Sequence, residues 1–127
     1  MANKIINSTN APAPIGPYSQ AVLANGVLYV SGQIALDPAS GNLMHEDIEA
    51  ETHQVMKNLL GILQEAGLDF AQVVKCTIFV KDLNNFTRIN NVYGSYFTQN
   101  PPARETVEVS RLPKDVNVEI SCIAVLQ

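Results

Sequence analysis

Histidine and cysteine are scarce in this chain of 127 residues, which holds two of each. His45 and His53 do not form a His-x3-His pattern and no paired-Cys spacing occurs, so no metal site is expected. Cys76 and Cys122 are widely separated, each inside an apolar strand-like run. That favours two buried free thiols in a reducing compartment over a disulfide. Basic residues are few: eight Lys and Arg against twelve Asp and Glu leave a net charge of −4. Sequence-independent nucleic-acid binding needs a basic surface that displaces counterions, so that class is disfavoured, while a small local basic site is not. Long charge runs, internal repeats, linkers and low-complexity segments are missing as well. The opening residues carry no apolar run of signal-peptide length, and no stretch is apolar enough to span a bilayer. A cytoplasmic protein with no membrane partner is therefore expected.

What is present is apolar residue, 46% of the chain, enough for one domain over 1–127 with a real core. Lys4 to Asn7 reads as a short strand. Ser19 to Leu23 and Val27 to Ile34 read as a hairpin around Ala24-Asn25-Gly26. Asp37 to Gly41 is a turn. Ile48, Val55, Met56, Leu59, Ile62 and Leu63 recur at helical spacing, predicting a helix from Asp47 to Ala66 that Gly67 stops. Acidic residues at its start, Glu46, Asp47, Glu49 and Glu51, suit the helix dipole. A strand from Val73 to Lys81, a helix from Leu83 to Phe97, and strands over Glu105–Ser110 and Val116–Leu126 complete the order β-β-β-α-β-α-β-β. This describes an α+β domain, a single sheet with two helices on one face.

The strands are apolar on both sides. Val74, Cys76, Ile78 and Val80 form one face of the fourth strand, yet Val73, Thr77 and Phe79 make the other semi-apolar. Helices on one side cannot cover both faces, so a second copy of the chain is expected on the other.

Several residues stand out against this scaffold. Pro101-Pro102-Ala103-Arg104 brings the chain stiffly to a strand start, because each proline fixes φ and restrains the residue before it. A guanidinium held there is a fork for a carboxylate or phosphate; the bland alternative is an ordinary surface arginine. The proline-rich loop from Asn10 to Pro17 reads as a rigid wall ending at Tyr18, which is either an aromatic lid and hydroxyl donor or a packed tyrosine. Gly32, beside Ser31, marks either close approach of a ligand or backbone, or a β-bulge. Asn90 falls in the inner stripe of the second helix, where its amide serves nearby backbone or faces a site. Glu119 is embedded in the last strand, where partial burial would raise its pKa and fit it for proton transfer.

Together these motifs resemble the RidA family of reactive-intermediate (enamine/imine) deaminases. The resemblance rests on Ala13-Pro-Ile-Gly-Pro-Tyr18-Ser-Gln, Val30-Ser31-Gly32-Gln33, Cys76-Thr-Ile-Phe-Val-Lys-Asp-Leu83, Phe86-x3-Asn90-x2-Tyr93, Pro102-Ala-Arg104-x2-Val107-Glu-Val and Arg111-Leu-Pro-Lys-Asp-x3-Glu119-Ile. They cover almost the whole chain in order. The resemblance implies a chorismate-mutase-like fold, a homotrimer whose sheets form a central barrel, and active sites in clefts between subunits. It also implies hydrolysis of 2-iminopropanoate or 2-iminobutanoate to the 2-oxo acid and ammonia, without a metal or organic cofactor. Arg104 would bind the substrate carboxylate through two parallel hydrogen bonds, and Glu119 would orient or activate water. Tyr18, Ser31 and Asn90 would line the pocket, with the backbone around Gly32 and Thr106 holding the imine end.

One departure matters. Many relatives carry Ser-Cys after the arginine, where this chain has Glu105-Thr106. Strand alternation predicts that Glu105 points away from Arg104; if it folded back, it would compete with substrate. Two other classes stay in view: a non-catalytic small-molecule sensor using the same arginine, and a ribonuclease or translation inhibitor, which the acidic balance disfavours.

Overall fold

The computed structural model describes residues 3–127, and its elements follow the expected order. Strands β1 (Lys4–Ile6), β2 (Ala21–Ala24) and β3 (Val27–Gln33) lead to α1 (Ile48–Glu65) and β4 (Val73–Val80). Helix α2 (Phe86–Gly94), β5 (Ala103–Glu108) and β6 (Val118–Val125) complete the chain. The six strands form one sheet in the order β1-β2-β3-β6-β4-β5. Among the described residues only the β4–β5 pair is parallel, and α2 supplies the crossover that a parallel pair requires. β3 and β4 both run antiparallel to β6, which lies between them, and α1 is the crossover joining that outer pair.

Each helix ends for a visible reason. Asp47 caps α1, its Oδ1 accepting from the Ala50 amide at 2.7 Å, and Gly67 takes φ 79° just past the C-cap Ala66. The second helix is shorter than its apolar spacing predicts. Leu83–Asn85 forms a 3-10 turn first, and Ser95 Oγ donates back to the Val92 carbonyl at 2.6 Å where α2 ends. Tyr96 and Phe97 lie beyond the helix but still pack against the core. In the β2–β3 turn, Asn25 and Gly26 both have positive φ, as a tight two-residue hairpin demands.

The core lies between one face of the sheet and α1 with α2. Val55, Met56, Leu59, Ile62 and Leu63 of α1 meet Leu28, Ile78, Val80, Val118 and Ile120 of the strands. Each of these large side chains, fully buried, contributes about 1.5–3 kcal/mol. Cys76 and Cys122 are both free and buried, and they stand opposite each other across β4 and β6.

Two β-bulges change the expected faces. Alternation alone places Gln33 with Tyr29 and Ser31, opposite Val30 and Gly32. In the structure Val30 pairs with Cys122 and Gln33 with Ile120, so three steps along β3 match two along β6. The bulge falls at Ser31-Gly32 and turns Gln33 to the core face. Likewise, an irregularity between Val73 and Lys75 buries Val73 and exposes Val74, reversing the expected assignment.

Three contacts fix the loops around the sheet. Asn58, buried in α1, donates from Nδ2 to the Ile34 and Leu36 carbonyls at 3.0 and 2.9 Å. Gly61 lets the Asn10 backbone lie directly on α1, since a Cβ there would stand 2.5 Å from the Asn10 carbonyl oxygen. Glu51 is fully buried, and its carboxylate accepts from the Asn117 backbone N and Nδ2 at 2.7 and 2.8 Å. It joins α1 to the start of β6, a role the dipole argument does not cover.

Candidate functional site

The uncovered face of the sheet carries a cavity of about 290 Å³ at the end where β3 and β6 meet the proline loop. Tyr18, Gly32 and Glu119 line it, with Ile15, Ile34, Leu36 and Pro113 as an apolar wall. Glu119 pairs with Phe79 across β6 and β4, which places it on the face opposite the core residues Val118 and Ile120. Its carboxylate lies against the bulge: a Cβ on Gly32 would stand 2.5 Å from Glu119 Oε2. Gly32 therefore lies at a bulge, and what approaches it closely is the Glu119 side chain, neither a ligand nor another backbone. Burial raises the pKa of Glu119, because the ionised form is poorly solvated there.

The proline loop is held by a residue that strand patterning does not single out. Gln20, itself buried, donates from Nε2 to the Ser8, Ala11 and Pro12 carbonyls at 3.1, 3.3 and 2.8 Å. Its Oε1 accepts from the Ser8 amide at 2.6 Å. The only signal in the sequence was a glutamine where the proline-rich loop turns into a strand. Tyr18 stays half-exposed at the cavity, its hydroxyl accepting from the Ile15 amide at 3.4 Å. Ser31 sits beside the cavity with its hydroxyl already engaged, donating to the Ser19 carbonyl at 2.6 Å.

Arg104 belongs to a second group. It pairs with Cys76 in the β5–β4 ladder, so its side chain leaves the sheet on the helix side. There Nη1 donates to Asn90 Oδ1 at 2.6 Å, and Cζ stands 5.0 Å from the Tyr93 ring centroid and 5.6 Å from that of Phe86. Asn90 is thus not a buried amide serving the backbone: it is exposed on α2, and its partner is the arginine. Thr106 follows on the same face of β5, with a buried hydroxyl that has no hydrogen-bond partner.

Charge distinguishes Arg104 from the other arginines. Arg88 is paired with Glu49 at 2.6 Å and Arg111 with Asp115 at 2.7 Å. Among the described residues no carboxylate lies within salt-bridge distance of Arg104. Glu105 points to the opposite face, as alternation predicts, where it meets Lys75 Nζ at 3.0 Å and Thr77 Oγ1 at 2.5 Å. The Thr77 hydroxyl and then Lys75 lower its pKa, so it is an anion with its own partners and leaves Arg104 free.

One chain therefore brings the expected residues into two clusters on opposite faces of its sheet. Tyr18, Gly32 and Glu119 form one, with Ser31 beside it. Asn90, Arg104 and Thr106 form the other. Among the described residues no group of His, Cys, Asp and Glu is arranged to hold a metal ion, and no helix is long and apolar enough to cross a membrane.

Residues 8–126 match the family described as endoribonuclease L-PSP. The chain belongs to the endoribonuclease L-PSP family. A RutC family protein of Synechocystis is 54% identical over 128 residues, covering 99% of this chain and 98% of the relative. A 2-iminobutanoate/2-iminopropanoate deaminase of Bos taurus is 47% identical over 125 residues, covering 98% of this chain and 91% of the relative. The solved structure of YyfA from Yersinia pestis, a Rid family protein, matches with a TM-score of 0.96 at 48% identity. That match covers 98% of this chain and all of the other. This member of the endoribonuclease L-PSP family thus shares the α+β fold of Rid proteins, a single sheet backed by two helices.

Proposed function

We propose that this chain hydrolyses 2-imino acids such as 2-iminobutanoate and 2-iminopropanoate to the 2-oxo acid and ammonia. The observation that carries the reading is Arg104, a guanidinium kept in place by neutral groups and left without a carboxylate. Such a fork is suited to a ligand that brings its own carboxylate, and parallel N–H donors fit both oxygens of one. The activity in the name of the bovine relative, 47% identical, supports the same choice.

The chemistry asks little of the protein. An imine carbon is already electrophilic, so orientation and one proton-transfer group suffice. Arg104 holds the substrate carboxylate. Glu119, ionised, takes a proton from water as the oxygen attacks C2, forming a carbinolamine. It returns that proton to nitrogen, then passes the hydroxyl proton of the carbinolamine to the same nitrogen as the C–N bond breaks, so that ammonia leaves as the carbonyl forms. Its raised pKa places the carboxyl nearer neutrality, where both directions of transfer are accessible.

Arg104 and Glu119 project from opposite faces, so the reading requires two copies, each giving one of them to a shared site. Ile5, Tyr29 and Val107 are exposed on the uncovered side of the sheet, a surface suited to a homotrimer closing into a barrel. The deciding assay couples the chain to a threonine dehydratase and follows 2-oxobutanoate release. Parental acceleration that Arg104→Ala abolishes is expected. Equal rates for the two would overturn the mechanism, and tight 2-oxo acid binding without acceleration would mark a sensor.

A further inference from the structure

Arg104 rests against three side chains of α2, and of these only Asn90 has a role so far. Phe86, Asn90 and Tyr93 lie at i, i+4 and i+7, so they form one stripe of the helix. We propose that Phe86 and Tyr93 are positioning residues, an aromatic cradle that orients the Arg104 guanidinium and leaves its charge available to a ligand carboxylate. The proposal rests on the reading of Arg104 as the carboxylate anchor.

Both ring centroids, at 5.0 and 5.6 Å from Cζ, lie within the range where a guanidinium is attracted to the negative face of an aromatic ring. Asn90 accepts from one Nη1 N–H and leaves the rest of the five-donor fork unused. All three partners are neutral. A glutamate in their place would hold the arginine as firmly, but it would neutralise the charge and compete with substrate, as Glu49 does for Arg88. Two aromatic faces and an amide oxygen restrict the side chain without that competition.

The need for a cradle follows from where Arg104 sits. β5 is an edge strand, and its exposed long side chains have many rotamers to lose on binding. A guanidinium already confined by its neighbours loses fewer. Tyr93 is itself well fixed: it is buried, and its ring stands 4.8 Å from that of Phe97. Its hydroxyl is buried beside the Cys76 thiol and makes no hydrogen bond to Arg104, so the ring is the part of Tyr93 that serves the guanidinium. Phe86 supplies the second ring and is 38% exposed, which allows substitution with little disturbance of the core.

The test is calorimetric titration with 2-oxobutanoate, which carries the carboxylate but undergoes no deamination. Parent, Phe86→Leu, Phe86→Tyr, Tyr93→Phe and Arg104→Ala are compared, with melting temperatures as the control for folding. Phe86→Leu is expected to weaken binding roughly three- to tenfold while melting near the parental temperature. Phe86→Tyr and Tyr93→Phe keep a ring at each position and should restore or retain binding. In turnover, Phe86→Leu should raise KM and leave the pH profile of kcat where Glu119 sets it. Arg104-dependent binding that Phe86→Leu does not weaken would overturn the cradle. Arg104-dependent binding without imine hydrolysis would overturn the deaminase reading and leave the cradle standing. If Arg104→Ala binds as tightly as the parent, both the anchor and the cradle fall.

Discussion

Arg104 and Glu119 belong to the same sheet, separated only by β4, yet their side chains leave it on opposite faces. Arg104 shares the side of Cys76, and Glu119 that of Phe79. A strand spacing measured along the chain would place them close, but the pleat keeps them apart. A site needing both must draw them from different copies.

This predicts complementation. Arg104→Ala and Glu119→Ala should each be inactive alone. When equal amounts of the two chains are unfolded together and refolded at random into mixed oligomers, about a quarter of all the sites should pair an intact arginine with an intact glutamate. Activity near that fraction is expected in the coupled assay. Continued inactivity of verified mixed oligomers would show that one chain supplies both groups.

The pH dependence of Glu119 has a definite sign. Burial raises its pKa in the folded chain above the ordinary value of 4.5, so the folded state favours the protonated form. Its contribution to stability is present below pH 4.5 and is lost as pH rises through the folded pKa. Glu119→Gln should therefore remove a decline in stability over that window, measured by urea unfolding at several pH values. Activity runs the other way. As a base the residue must be ionised, so kcat/KM should rise with pH through the same pKa, and Glu119→Gln should lower kcat by roughly 10²–10⁴-fold.

Gly32→Ala probes the close approach. The new Cβ would stand 2.5 Å from Glu119 Oε2, so the carboxylate must swing away. A displacement near 1 Å can cost on the order of 10²-fold in rate. If Arg104 is the carboxylate anchor proposed above, the loss should appear mainly in kcat, and 2-oxobutanoate affinity measured by calorimetry should change little.

Gly61→Ala tests how the proline loop is seated. Its Cβ would meet the Asn10 carbonyl oxygen at 2.5 Å, and a backbone atom there cannot step aside as a flexible side chain would. Forcing the loop off α1 should cost about 1–3 kcal/mol, read from urea unfolding at fixed protomer concentration. The same displacement should reduce turnover, since the loop carries Tyr18 to the cavity.

The elements and most of the candidate site residues were legible in the sequence because their signals are local. Helical spacing of Val55, Met56, Leu59, Ile62 and Leu63 marks α1 whatever it packs against. Alternation turns Glu105 away from Arg104 without reference to any other strand. The proline run, the embedded Glu119 and the glycine at position 32 could each be named from near neighbours. Other features depend on a second segment and had no local mark. A bulge is a mismatch between two strands, so the turn of Gln33 toward the core appears only when β3 is set against β6. Gln20 gains its meaning from three carbonyls of a loop that folds back over it. Glu51 reads as a helix-dipole carboxylate until the approach to β6 buries it against Asn117. By itself the sequence determined which groups are candidates for the chemistry, because side-chain identity and short-range periodicity are written along the chain. Which face each group occupies, and hence the division of Arg104 from Glu119, was decided only by strand pairing, since register is a relation between segments and not a property of either one.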